Sequence, residues 1–193
     1  MSRDAAATVL AATGRHFLLR IDDGGDRVAV TRGRKADVVA GDRVDWAELG
    51  AGQAVIEGVR PRRNLLRRSD ERRTKALAAN LDQVAVVISG EPPFSEELLM
   101  RVLVAAEREG VDAMLIATKA DVPGALASIE PRLRVYEALG YPVHRIASKA
   151  EPAAARETIG PLLAHRTTLL LGQSGMGKST LVNLLVPDAA LAT

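Results

Sequence analysis

The chain of 193 residues contains no cysteine, which excludes a disulfide scaffold and any thiolate-held zinc or iron–sulfur site within these residues. The same absence suits a reducing, cytoplasmic setting. Aromatic residues make up only 3% of the chain, so base stacking on rings is a poor main route to nucleic acid, and contact through backbone charge is the better one. No apolar run reaches the roughly 18 residues that a membrane helix needs, so no membrane partner is expected. Met1-Ser2-Arg3-Asp4 and the short alanine-rich stretch after it turn polar too soon for a secretion signal. The three histidines, His16, His144 and His165, have no ligand-like spacing and read as structural or surface residues.

What is present is ordinary for a folded protein. Hydrophobic residues are 47% of the chain and charged residues 26%, which excludes disorder over most of its length. The net charge is only +2, but Arg60 to Lys75 holds eight basic residues against Asp70 and Glu71, a local +6 that leaves −4 elsewhere. Such a band attracts phosphate backbone; a solvated linker has the same composition.

Hydropathy divides the chain in two. Up to residue 60, short apolar runs (Ala6 to Ala11, Phe17 to Ile21, Val28 to Val30) alternate with turn signals. Asp22-Asp23-Gly24-Gly25-Asp26 reads as a hairpin turn, Arg32-Gly33-Arg34-Lys35 as a polar break, and Gly50-Ala51-Gly52 as a turn into Gln53 to Val59. Arg43-Val44-Asp45-Trp46 alternates with period two, and Trp46 is assigned to the core. About five short strands predict a small β-barrel; OB and SH3-like barrels both fit the spacing. From residue 81 the period changes. Val84 to Ile88 reads as a doubly buried strand, Ser95 as the cap of a helix with Leu99, Val102, Leu103 and Ala106 on one face, and Gly110 as its end. Further strands are expected at Met114 to Ala117, Val143 to Ala147 and Thr167 to Leu171. The helices between them centre on Ile129, Leu133 and Tyr136 and run from about Pro152 to Ala164, and Lys178 to Leu185 opens a last one. This alternation implies a parallel sheet covered by helices. The expected domains are a barrel over 1–60, a basic connector over 61–80 and an α/β domain over 81–193.

Gly172-Gln173-Ser174-Gly175-Met176-Gly177-Lys178-Ser179 fills every fixed position of GxxxxGK[ST], between a strand and a helix. Backbone N–H groups of such a loop and of the following helix surround phosphate oxygens, Lys178 reaches the β- and γ-phosphates, and Ser179 ligates Mg²⁺. Thr180 continues the loop into the helix. Upstream, Thr118-Lys119-Ala120-Asp121 directly follows a strand and fits [NT]KxD. A carboxylate at Asp121 accepts from guanine N1–H and the 2-amino group; adenine offers neither donor and would leave that charge unpaired. The Lys119 stem lies along a base face, and the Thr118 hydroxyl is placed to tie this loop to the phosphate loop. Ser148-Lys149-Ala150 resembles the short loop that completes a guanine pocket, and a turn leading into a helix explains it as well.

The order of these motifs is informative. Common GTPases place the phosphate loop first; here the base reader comes first, which is a circular permutation. With that order, Val39-Ala40-Gly41-Asp42-Arg43-Val44-Asp45-Trp46, Arg60-Pro61-Arg62-Arg63-Asn64-Leu65-Leu66-Arg67-Arg68, Asn80-Leu81-Asp82-Gln83-Val84 and Glu91-Pro92-Pro93-Phe94, the chain resembles the ribosome small-subunit-dependent GTPase family (RsgA/YjeQ) along nearly its whole length. The resemblance implies an OB barrel followed by a circularly permuted P-loop GTPase sheet, C-terminally incomplete. It also implies GTP and GDP with Mg²⁺ as ligands, a monomer, and a role in late maturation of the small ribosomal subunit. Ribosomal RNA would meet the barrel and Arg60, Arg62, Arg63, Arg67 and Arg68. The family continues with a switch threonine region, a DxxG loop and a zinc-binding C-terminal domain. None follows the P-loop here, where the later threonines are Thr180 and Thr193 and Asp188 is followed by Ala-Ala-Leu. Asp121-Val122-Pro123-Gly124 and Asp22-Asp23-Gly24-Gly25 spell DxxG but sit in the base reader and a hairpin turn. Two expectations follow: the P-loop strand lies beside the first strand of its domain with an exposed apolar edge, and this chain by itself hydrolyses GTP poorly. Two other functions remain open, a P-loop ATPase or kinase, against which Asp121 speaks, and an RNA-binding module with a vestigial nucleotide site.

Overall fold

The computed structural model describes residues 6–22, 25–32, 37–50, 52–69 and 74–186. Asp23 and Gly24 of the first turn, Gly33-Arg34-Lys35, Ala51, Asp70, Glu71, Arg72 and Arg73 of the basic band, and Asp188 and Thr193 lie outside them. The chain forms two compact units, 1–81 and 82–193.

The first unit holds a closed barrel of β1 (Ala6–Thr13), β2 (His16–Ile21), β3 (Asp26–Thr31), β4 (Arg43–Gly50) and β5 (Gln53–Val59). β2 shows the cause most plainly: Phe17, Leu19 and Ile21 point inward and alternate with exposed residues, the period-two pattern of a half-buried strand. They meet Val9, Val44, Ala54 and Ile56, and Trp46 packs against that core. The strand order β1-β2-β3-β5-β4, closed by β4 on β1 and with β3 and β5 parallel, decides the point that spacing left open: it is the OB order.

Residues 61–80, read from the sequence as a connector, contain a hairpin. β6 (Leu65–Ser69) pairs antiparallel with β7 (Thr74–Ala79). Its apolar side is small: Leu65, Ala76 and Ala79 cluster with Val39. A parallel bridge from Ala40 to Ala78 joins it to the segment before β4. Gly41 makes that junction possible, because its φ is 86° and a Cβ there would lie 2.1 Å from the Ala79 carbonyl oxygen.

The second unit is a four-stranded sheet in the order β10-β9-β8-β11, with every pairing parallel. β8 (Gln83–Ile88) is buried along its whole length, as its unbroken apolar run requires. α1 (Glu96–Arg108) starts at Ser95, whose Oγ accepts from the Leu98 N–H, and turns Leu99, Leu103 and Ala106 inward. Then follow β9 (Asp112–Ala117), α2 (Ala125–Ala138), β10 (Val143–Arg145), α3 (Pro152–Leu163), β11 (Thr168–Leu171) and α4 (Lys178–Leu185). β11 pairs with β8 at one edge of the sheet and is half-buried. Among the described residues no helix is long and apolar enough to cross a membrane.

Candidate functional site

In a parallel sheet the segments that follow the strands leave at one edge, where α/β proteins place their ligands. The motif loops of the second unit all leave there: Ser89–Ser95 after β8, Thr118–Gly124 after β9, Ser148 and Lys149 after β10, and Gly172–Gly177 after β11. A separate cavity of about 700 Å³ opens at the opposite end of the sheet, lined by Gln83, Asp112, Tyr141, His144 and Arg166 among others, far from these motifs.

The phosphate-type loop is shaped by its glycines. Gly172 lies so close to β8 that a Cβ would fall 2.3 Å from the Val87 carbonyl oxygen. Gly175 and Gly177 hold φ of 79° and 85°, and Gly177 is the residue from which α4 starts. Apart from the turn over Ser174 and Gly175, the backbone N–H groups of this loop up to Ser179 are a set of open donors at a helix N-terminus. Lys178 Nζ lies across the loop and donates to the Gln173 carbonyl at 2.6 Å. Ser179 and Thr180 stand in the first turn of α4, half-buried. Met176 is buried and Leu181 anchors the helix from below.

Thr118 joins the two central motifs. Its side chain is buried, and its Oγ1 donates to the Met176 carbonyl at 2.7 Å, with the Ile88 carbonyl at 3.2 Å as a weaker acceptor. The carbonyl of a P-loop residue is thereby fixed by the first residue of the Thr118–Asp121 loop. Lys119 adopts φ of 58° and its Nζ donates to the Glu91 carbonyl at 2.7 Å. The Ala120 N–H donates to the Ile146 carbonyl at 3.2 Å, which holds the loop against β10. Asp121 is exposed, and its carboxylate has no partner among the described residues. Ser148 Oγ is buried without a hydrogen-bond partner, whereas Lys149 is exposed. Sequence reasoning did not identify the Ser89–Ser95 loop as part of the site. It lies between both motifs, with Glu91 bonded to Lys119 and the Ser95 N–H donating to Gln173 Oε1 at 2.6 Å. Glu91-Pro92-Pro93-Phe94 marks it only as a family motif, because its role at the site depends on strand order.

The five arginines read from the sequence as RNA contacts, all in the first unit, separate into two kinds. Arg60 pairs with Asp45 at 2.8 Å. Arg62 forks onto Asp42, which is fully buried, with Nε to Oδ1 at 2.7 Å and Nη2 to Oδ2 at 2.8 Å; this hydrogen bonding raises the guanidinium pKa. Arg63 donates to the Asn80 carbonyl at 2.9 Å. Arg67 and Arg68 are exposed on β6, and their side chains meet no partner among the described residues. Arg60, Arg62 and Arg63 thus have protein partners beside the barrel, whereas Arg67 and Arg68 project from the hairpin.

Comparison with known proteins agrees with this architecture. A family model described as RsgA GTPase matches residues 59–193. The small ribosomal subunit biogenesis GTPase RsgA of Paraburkholderia phytofirmans is 50% identical over 186 residues, covering 96% of this chain and 59% of that protein. The protein of the same name from Burkholderia pseudomallei is 49% identical over 190 residues, 98% of this chain and 60% of its own. This chain thus spans about three fifths of the curated relatives it matches. Among solved structures, YjeQ from Thermotoga maritima superposes with a TM-score of 0.72 at 25% identity, over 95% of this chain and 65% of that one. YloQ, a circularly permuted GTPase, shares the fold with a TM-score of 0.64 at 24% identity, over 95% of this chain and 64% of its own. The motif order read from the sequence and the OB barrel before it have their explanation in this kinship: the chain belongs to the RsgA GTPase family.

Proposed function

We propose that the chain binds GTP and GDP through the Thr118–Asp121 and Gly172–Thr180 loops and acts as a GTPase in maturation of the small ribosomal subunit, the role for which its relatives are named. The observation that carries this reading is the Thr118 hydroxyl bonded to the Met176 carbonyl, which joins a guanine-type loop to a phosphate-type loop. In this reading Asp121 accepts from the guanine edge, and a base lacking those donors leaves its charge unpaired. Ala120 and the Lys119 stem border the base, and Ser148 and Lys149 close its far side. The open N–H groups of the loop up to Ser179 receive phosphate oxygens, and Lys178 leaves the Gln173 carbonyl to meet the β- and γ-phosphates.

Ser179 supplies a hydroxyl oxygen at the start of α4, a donor of the kind Mg²⁺ prefers, so the site suits that ion. Bound there with the nucleotide, Mg²⁺ would neutralise charge on the phosphates. The zinc implied by the family resemblance has no ligand set in these residues: the chain lacks cysteine, and no three His, Asp or Glu side chains come together among the described residues. Arg67 and Arg68, with the barrel, are the proposed contacts to ribosomal RNA.

Co-sedimentation with purified small ribosomal subunits tests the role. The chain should pellet with subunits more in a non-hydrolysable GTP analogue than without nucleotide, with an ATP analogue no better than no nucleotide. Pelleting that ignores the nucleotide would contradict the proposal.

A further inference from the structure

Gln173 occupies a position that the P-loop pattern leaves free, yet its side chain does not turn toward the place where phosphates would lie. Its Oε1 accepts the backbone N–H of Ser95 at 2.6 Å, and Ser95 is the residue that caps α1. The same residue's carbonyl accepts Lys178 Nζ. One end of the loop is fixed by the close approach of Gly172 to Val87, and the far end by Thr118 on Met176. Between them the side chain of Gln173 is a polar tie that joins the loop to another element, while a Cβ at Gly175 would stand only in van der Waals contact, 3.4 Å from Pro92 Cγ.

The element receiving that tie is itself held. Gly90 lies so close to α2 that a Cβ would fall 1.8 Å from the Ala125 carbonyl oxygen. Ser89 Oγ bonds the Glu91 backbone, and the Arg132 guanidinium sits 4.6 Å above the Phe94 ring. Lys119 donates to the Glu91 carbonyl at 2.7 Å. The Ser89–Ser95 loop therefore touches the base-reader loop at one end and the phosphate loop at the other.

From this geometry we infer that Gln173 is a positioning residue: acting through the Ser95 N–H, it sets the phosphate loop in its nucleotide-binding shape and makes the Ser89–Ser95 loop a brace between the two halves of the pocket. The inference rests on the nucleotide-site reading above. Its physical basis is preorganisation. Without the tie, once Lys178 has left the Gln173 carbonyl for the phosphates, the stretch from Gln173 to Gly175 is held by glycine-rich backbone and must be ordered when nucleotide binds.

The test is a double-mutant cycle on the whole chain, read by GDP, GTP and ATP titration. Gln173→Ala removes the acceptor. Ser95→Pro removes the donor, and the φ of −81° at Ser95 accommodates proline. Ser95→Ala, which loses the cap but keeps the N–H, is the reference. Each of the first two should weaken GDP and GTP about fivefold, as for loss of one hydrogen bond, without changing the preference for guanine over adenine. Gln173→Ala should add no further loss in the Ser95→Pro background. Wild-type affinity in Gln173→Ala, losses that multiply in the double variant, or a lowered nucleotide-free unfolding midpoint with unchanged affinity would each overturn the inference. Failure of the unaltered chain to bind any guanine nucleotide would instead overturn the site reading, and this inference with it.

Discussion

Asp42 shows how one residue's environment reassigns another's role. Its carboxylate is fully buried and accepts from the Val39 N–H at 2.9 Å as well as from both arms of the Arg62 fork. Arg62 also donates to the Asp37 carbonyl. A buried carboxylate without a cation costs several kcal/mol, so Arg62 is committed to stability before it can serve a partner. Arg62→Ala should lower unfolding free energy by about 3 kcal/mol, the low end for a broken buried pair, because the side chain of Arg62 retains 21% exposure. Urea denaturation measures it. A loss under about 1 kcal/mol, the range of a surface pair, would contradict this account.

At the scale of elements, the β6–β7 hairpin decides where basic charge is available. Leu65, Leu66, Ala76 and Ala78 are buried, while Arg67, Arg68 and Lys75 are exposed. Arg68 and Lys75 face each other across the ladder, an arrangement that like charges disfavour and that an anionic partner would relieve. Arg67→Ala with Arg68→Ala should reduce the slope of log affinity against log salt by about 1.4 to 1.8 for a ribosomal RNA fragment. Arg60→Ala, which breaks only the pair with Asp45, should leave the slope nearly unchanged. Equal effects from both would refute the division. The hairpin was hidden in the sequence by its own charge, since Arg67 and Arg68 interrupt the apolar alternation that marks a strand. β2 was legible because burial of one face gave it a period of two, and β8 because burial of both faces gave it an unbroken apolar run. The P-loop was legible because phosphate binding demands fixed residues within one short segment. The Ser89–Ser95 brace was not, because its partners, Lys119 and Gln173, are remote in sequence and meet only through the order β10-β9-β8-β11.

Across the whole molecule, an OB barrel with its hairpin and a permuted α/β sheet are distinct units, each with its own core. The circular permutation was readable from motif order, and the sheet explains why it preserves a site: parallel strands deliver their loops to one edge whichever segment comes first in the chain. In the proposed site, Thr118–Asp121 and Gly172–Ser179 form one guanine-nucleotide pocket. Calorimetric titration of the purified chain with GDP, GTP and ATP in Mg²⁺, beside Asp121→Asn, tests it most directly. Both guanine nucleotides should bind and ATP should not, and Asp121→Asn should lose guanine affinity by at least about tenfold, since a charged hydrogen-bond acceptor is removed. Equal binding of ATP and GTP, or an Asp121→Asn variant that binds GDP as the unaltered chain does, would contradict this reading.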